Sequence, residues 1–136
     1  MENIMNGRKL LQIGGITNAL FVVFHLSFWS IFDWRQSLAS LSLNNRAILE
    51  VLNIHTAYTL AVFAAVSLAF PDELTTTKLG RSLSMAIAVF WILRAVNQAI
   101  FWGISSIICW VFIALCLGIA MLYLVPLYPK SAENKL

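Results

Sequence analysis

Charge is scarce in this 136-residue chain. Only 11% of its residues are Asp, Glu, Lys or Arg, against about a quarter in an ordinary soluble domain. Beside 60% hydrophobic residues and a mean hydropathy of +0.83, that shortage excludes a disordered chain, a nucleic-acid-binding arm and a water-soluble globule. Cysteine is equally thin. Cys109 and Cys116 are the two present; on one helix they would stand about 10 Å apart along the axis. That is beyond the roughly 7 Å between Cα atoms that a disulfide tolerates. With no CxxC, no Cys/His ligand spacing and no histidine pair on one helical face, no metal site is expected. Also missing are HExxH, GxSxG, a Walker loop, a Rossmann glycine pattern and a paired-carboxylate motif. These absences lean against an enzyme.

What the chain does have is long apolar runs. Leu10 to Phe32 and Val51 to Pro71 carry no charge, and Ser82 to Pro129 carries only Arg94. The first two are each close to the 20 or so residues that cross about 30 Å of hydrocarbon. The third is long enough for two crossings, with Gly103-Ile104-Ser105-Ser106 as the natural break. Lipid excludes open sheet edges, and uninterrupted runs exclude a barrel's alternation. The expected architecture is an all-α integral membrane protein. It is a single domain over 1–136, a four-transmembrane-helix antiparallel bundle with helices at about 10–32, 46–70, 81–102 and 106–126. The first run follows Arg8-Lys9, is too long for a signal-peptide core and has no small-x-small cleavage site, so it reads as a retained helix. The connection 33–46 carries Leu38, Leu41 and Leu43 and is expected along the membrane surface, with Asn44 or Asn45 capping the second helix.

Orientation follows from the basic residues beside the helix ends. Arg8, Lys9, Lys78, Arg81, Lys130 and Lys135 fall on one side, Arg35 and Arg46 on the other. The excess places both termini in the cytoplasm, as in a bacterial inner-membrane protein. Trp29, Trp34, Trp102 and Trp110 then gather at the outer boundary as an interfacial belt, and Tyr128 marks the inner one.

Polar side chains within the spans are costly, and ionisable ones are functional candidates. At 100° per residue, Gly14, Asn18 and His25 share one face of the first helix. Glu50 and Asn53 share a face with the small residues Ala57, Ala61 and Ala64 on the second, while His55 and Thr59 point away. Arg94, Asn97 and Gln98 lie with Trp91 and Phe101 on the third, and Cys109 and Cys116 share a face of the fourth. In an antiparallel bundle most of these groups fall in the outer half, leaving the inner half almost free of strongly polar groups. If those faces converge, they line a pocket with His25 and Arg94 at its centre and Glu50, Asn53, Asn97, Gln98, Asn18 and Trp91 completing the wall.

Each residue also has a plainer role. Arg94 is either an anion clamp, a snorkelling side chain or the partner of Glu50. Glu50 can instead pair with Arg46 at the interface. His25 is an interhelical hydrogen-bonding residue, a proton relay or an axial haem ligand; the asparagines and Gln98 are interhelical glue.

The function expected is binding of an amphipathic or flat ligand, quinone-, haem- or lipid-like, against aromatic walls from Phe21, Phe28, Trp91 and Phe101. The cofactor is left open; haem b through His25 and His55 would need both rings to face one cavity. Three alternatives stand beside it. One is a small transporter acting as an oligomer, such as a homodimer. Another is an accessory subunit meeting a partner in a larger membrane complex. The last is a membrane enzyme with His25 as base and Arg94 as anion stabiliser. The lipid bilayer is the expected surrounding in each case, and nucleic acid is a partner in none.

Overall fold

The computed structural model describes residues 2–128, with side chains from Asn6 onward. Of the basic residues counted above, Lys130 and Lys135 lie outside the described residues, as do positions 1 and 129–136 of the expected single domain. In chain order the helices are α1 (Glu2–Leu26), α2 (Phe28–Ile31), α3 (Trp34–Ser37), α4 (Leu43–Ala69), α5 (Glu73–Thr76), α6 (Lys78–Trp102) and α7 (Ile107–Leu124), followed by a 3₁₀ turn at Val125–Leu127. There is no strand among the described residues. Four segments are long and apolar enough to cross a membrane: Asn6–Leu26, Leu43–Ala69, Lys78–Trp102 and Ile107–Leu127.

The boundaries differ from the sequence reading where polar side chains intervene. The first helix ends at Leu26 rather than near Phe32. At that point Ser27 bonds its hydroxyl back to the Val23 carbonyl, and its N–H is shared between Val23 and Phe24. Such back-bonding competes with the helical ladder and bends it. The chain continues through the single turns α2 and α3, with Asp33 between them in the left-handed region at φ 44°. The second long helix starts at Leu43, earlier than expected, because Ser42 and not Asn44 or Asn45 supplies the cap. Its hydroxyl accepts from the Asn45 N–H at 3.4 Å. Thr77 and Ser106 cap α6 and α7 in the same way. The break between those two helices falls at Gly103, whose φ of 75° a side chain would strain.

The interior sets large apolar side chains, Leu11, Leu60, Ile87, Trp91 and Tyr123, among small and polar ones, while the exterior is large and apolar. Buried positions include Ala57, Ala64, Ala88, Ala95 and Ala120, with Ser67, Ser84, Asn18 and Gln98 among them. Leu20, Val23, Ile100, Ile107 and Ile108 point outward. Small residues let helices approach where lipid tails offer no hydrophobic drive for association. Ala61 departs from the expected small-residue stripe and is exposed.

Contacts tie the helices together along the length of α1. A Cβ on Gly15 would touch Ser67 and Leu68 near the end of α4, while His25 at the end of α1 meets Asn53 near the start of α4. At the end of the bundle that holds the start of α1, Gly7 faces Pro126, Arg8 pairs with Asp72 at 3.3 Å, and Arg81 donates to the Leu127 carbonyl at 3.1 Å.

Candidate functional site

The eight candidate residues do not line one cavity. Seven of them fall into four hydrogen-bonded groups at different places in the bundle, and Asn97 joins none. The deepest centres on Asn18, which is fully buried. Its Nδ2 donates to the Gly14 carbonyl and to the Tyr123 hydroxyl, each at 2.8 Å, and its Oδ1 accepts from Trp91 Nε1 at 3.2 Å. Ser67 spends its one proton on the Phe63 carbonyl, so the Tyr123 hydroxyl must donate to Ser67 across their 2.8 Å contact. This network joins all four long helices. It runs from the middle of α1 and α6 to the last turn of α4 and of α7. That part of the bundle, expected to be almost free of strongly polar groups, is thus tied together by weakly polar ones, two hydroxyls and an indole. One hydroxyl and one indole, from Tyr123 and Trp91, join the Gly14 carbonyl in satisfying Asn18, and Ser67 in turn satisfies Tyr123.

Nearer the other end, His25 and Asn53 form a reciprocal pair. Asn53 Nδ2 donates to the His25 carbonyl at 2.9 Å, which fixes the amide orientation. Asn53 Oδ1 therefore faces His25 Nδ1 at 2.7 Å, and the imidazole must donate from Nδ1. Its Nε2 keeps a lone pair. The ring stacks on Phe28 at 4.7 Å and meets the edge of Phe24 at 6.0 Å. His55 lies exposed on α4 and bonds back to Val51, so the two imidazoles do not share a cavity.

Glu50 is half-buried and bonds Arg46 Nε at 3.0 Å. It does not pair with Arg94, because a partner one helical turn away on its own helix is closer at hand. Asn97 is exposed on α6, with no hydrogen-bond partner among the described residues.

Arg94 is the remaining group. Its Nη1 donates to Gln98 Oε1 at 3.0 Å, and Gln98 in turn reaches Cys109 Sγ at 3.8 Å. The guanidinium carbon lies 4.6 Å from the Phe112 ring centre and 5.4 Å from that of Trp102. Two aromatic faces stabilise a cation without neutralising it. No carboxylate pairs with Arg94 among the described residues. Cys109 and Cys116 are buried and free.

A cavity does lie beside this group. It is a groove of about 390 Å³ between α1 and α7, lined by Leu20, Phe21, Phe24, Phe112 and Leu115. Of the expected aromatic walls only Phe21 belongs to it. Phe28 is the platform under His25, Trp91 is in the core, and Phe101 is 74% exposed. Phe112 and Leu115, on the hydrophobic fourth run, escaped the sequence reading because a continuous apolar segment has no face to single out. The groove thus shares Phe112 with Arg94 and Phe24 with His25. Comparison with known proteins adds no assignment: no family model matches the chain, and neither curated proteins nor solved structures give a match.

Proposed function

We propose that this chain is a multi-pass membrane protein that binds an anionic amphiphile, a lipid- or fatty-acid-like molecule. Its apolar part would lie in the groove between α1 and α7, and its headgroup would take Arg94 as countercharge. The observation that carries this reading is the state of Arg94. It stands within a membrane-crossing helix, without a carboxylate partner among the described residues, on the face of a ring that lines the groove. An intramembrane guanidinium is expensive, and a planar fork of donors suits a carboxylate or phosphate. Leu20, Phe21, Phe24 and Leu115 offer an acyl chain an apolar bed. In this proposal the four long helices run antiparallel, with both termini on the cytoplasmic side of a bacterial inner membrane, as the distribution of Lys and Arg favours. Arg94, near Trp102, then lies toward the outer leaflet.

The test is binding of a dansyl-labelled fatty acid, with its methyl ester as the uncharged control, to the purified chain in neutral detergent. The acid is expected to bind and the ester to bind at least about tenfold more weakly, as loss of a charge-assisted contact implies. Arg94→Gln should bring the acid down to the level of the ester. Equal binding of acid and ester, or an unchanged Arg94→Gln, overturns the proposal.

A further inference from the structure

A second cleft lies at the opposite end of the bundle, and it has a different chemistry. It measures about 370 Å³ and is lined by Arg81, Ser82, Met85, Leu127 and Tyr128. We propose that it is a binding site for the phosphate headgroup of an anionic phospholipid, with the lipid's glycerol and upper acyl carbons against Met85 and Leu127.

Three observations converge on this. The Arg81 guanidinium is held in place, because one Nη2 proton goes to the Leu127 carbonyl at 3.1 Å. Its remaining donors have no protein partner among the described residues, and a guanidinium presents five in all. The hydroxyls of Ser82 and Tyr128 line the same cleft and are likewise without a protein acceptor among the described residues. A cation and two hydroxyls beside apolar side chains form a donor set that matches a phosphodiester above an acyl chain. The position fits as well. Arg81 stands one turn inside the start of α6, and Tyr128 follows the end of the last membrane-crossing segment, so both sit where headgroups lie. No carboxylate forms an ion pair with Arg81 among the described residues, and Asp72 pairs with Arg8 instead. This inference does not depend on the Arg94 groove, and the two are tested with different probes.

The experiment measures the thermal midpoint of the full chain in neutral detergent, titrated with phosphatidylglycerol, with phosphatidylcholine or with inorganic phosphate. Phosphatidylglycerol should raise the midpoint, and its half-saturating concentration should rise about tenfold in Arg81→Gln. The combined Ser82→Ala, Tyr128→Phe variant leaves the Arg81–Leu127 hydrogen bond intact and should show a smaller rise in the same direction. Lys9→Gln removes a charge from the same end outside the cleft and should leave the titration unchanged. An equal response to phosphatidylcholine overturns the proposal, as does an equal loss in Lys9→Gln, which indicates diffuse attraction. A matching response to inorganic phosphate overturns it too, because the site would then hold a free anion and not a lipid.

Discussion

The Tyr123 hydroxyl accepts a proton from Asn18 across 2.8 Å and passes its own to Ser67 at the same distance. One oxygen atom thereby joins α1, α4 and α7, and Asn18 extends the connection to Trp91 on α6. No buried side-chain nitrogen or oxygen among the described residues is left without a partner. Tyr123→Phe keeps the ring and removes that oxygen. It strands one Asn18 proton and one Ser67 lone pair in the buried part of the bundle. Hydrogen bonds inside membrane bundles are worth about 0.6 kcal/mol on average, and stranded buried groups cost about 1–3 kcal/mol. The expected loss is therefore about 1–2 kcal/mol, read from denaturant unfolding in mixed micelles. An unchanged unfolding midpoint would mean that the network contributes nothing to holding the four helices together.

Gly14 makes that network sterically feasible. A Cβ there would lie 2.8 Å from two Tyr123 ring atoms, and Tyr123 is tethered by its two hydrogen bonds. Gly14→Ala should therefore destabilise by about 1–3 kcal/mol, the usual cost of overpacking. Gly118 is the internal control, because a Cβ there meets open space. Gly118→Ala should be neutral or should stabilise by up to about 1 kcal/mol through helix propensity. Opposite signs for the two glycines, measured in one detergent, are the expected result.

The sequence was informative about length and poor about facing. Four membrane-length runs and the break at Gly103 follow from hydropathy and from one residue suited to positive φ. The polar residues were read by angle around ideal helices, and here the reading divides. Asn18, His25, Asn53 and Gln98 do turn toward other helices, because an amide or imidazole in hydrocarbon needs a partner. Asn97 and Phe101 share the nominal Arg94 face yet are exposed. Near a helix end the aqueous interface satisfies an amide just as well. Glu50 found Arg46 because a partner four residues away costs no tertiary arrangement. Tyr123, Ser67 and the groove residue Phe112 were assigned no role, since hydroxyls and rings in apolar runs do not disclose a partner until a neighbouring helix is in place.

The His25–Asn53 pair makes a prediction about a single proton. The Asn53 amide is oriented by the His25 carbonyl, so neutral His25 should carry its hydrogen on Nδ1 and leave Nε2 unprotonated. Nitrogen chemical shifts of the labelled imidazole distinguish the two tautomers directly. Asn53→Leu removes the constraint and should shift the population toward the Nε2–H form, with a stability loss of about 1 kcal/mol. A native Nε2–H tautomer would contradict the pairing.

Arg94 separates a structural role from a binding role, because the two predict opposite effects of one substitution. If Arg94 is retained for a ligand, it is a standing cost to the apo protein. Arg within a membrane helix costs about 2.5–3.5 kcal/mol on insertion scales, lowered here by Gln98, Phe112 and Trp102. Arg94→Leu should then leave stability unchanged or raise it by about 1 kcal/mol, while abolishing capture of the dansyl-labelled fatty acid. Arg94→Lys keeps the charge but not the fork of donors and should retain partial binding. If instead Arg94 serves only to tie α6 to α7 through Gln98 and the two rings, Arg94→Leu should destabilise the chain and leave the acid's preference over its ester intact. Unfolding and titration on the same preparation decide between these, since stability gained with binding lost follows only from the first.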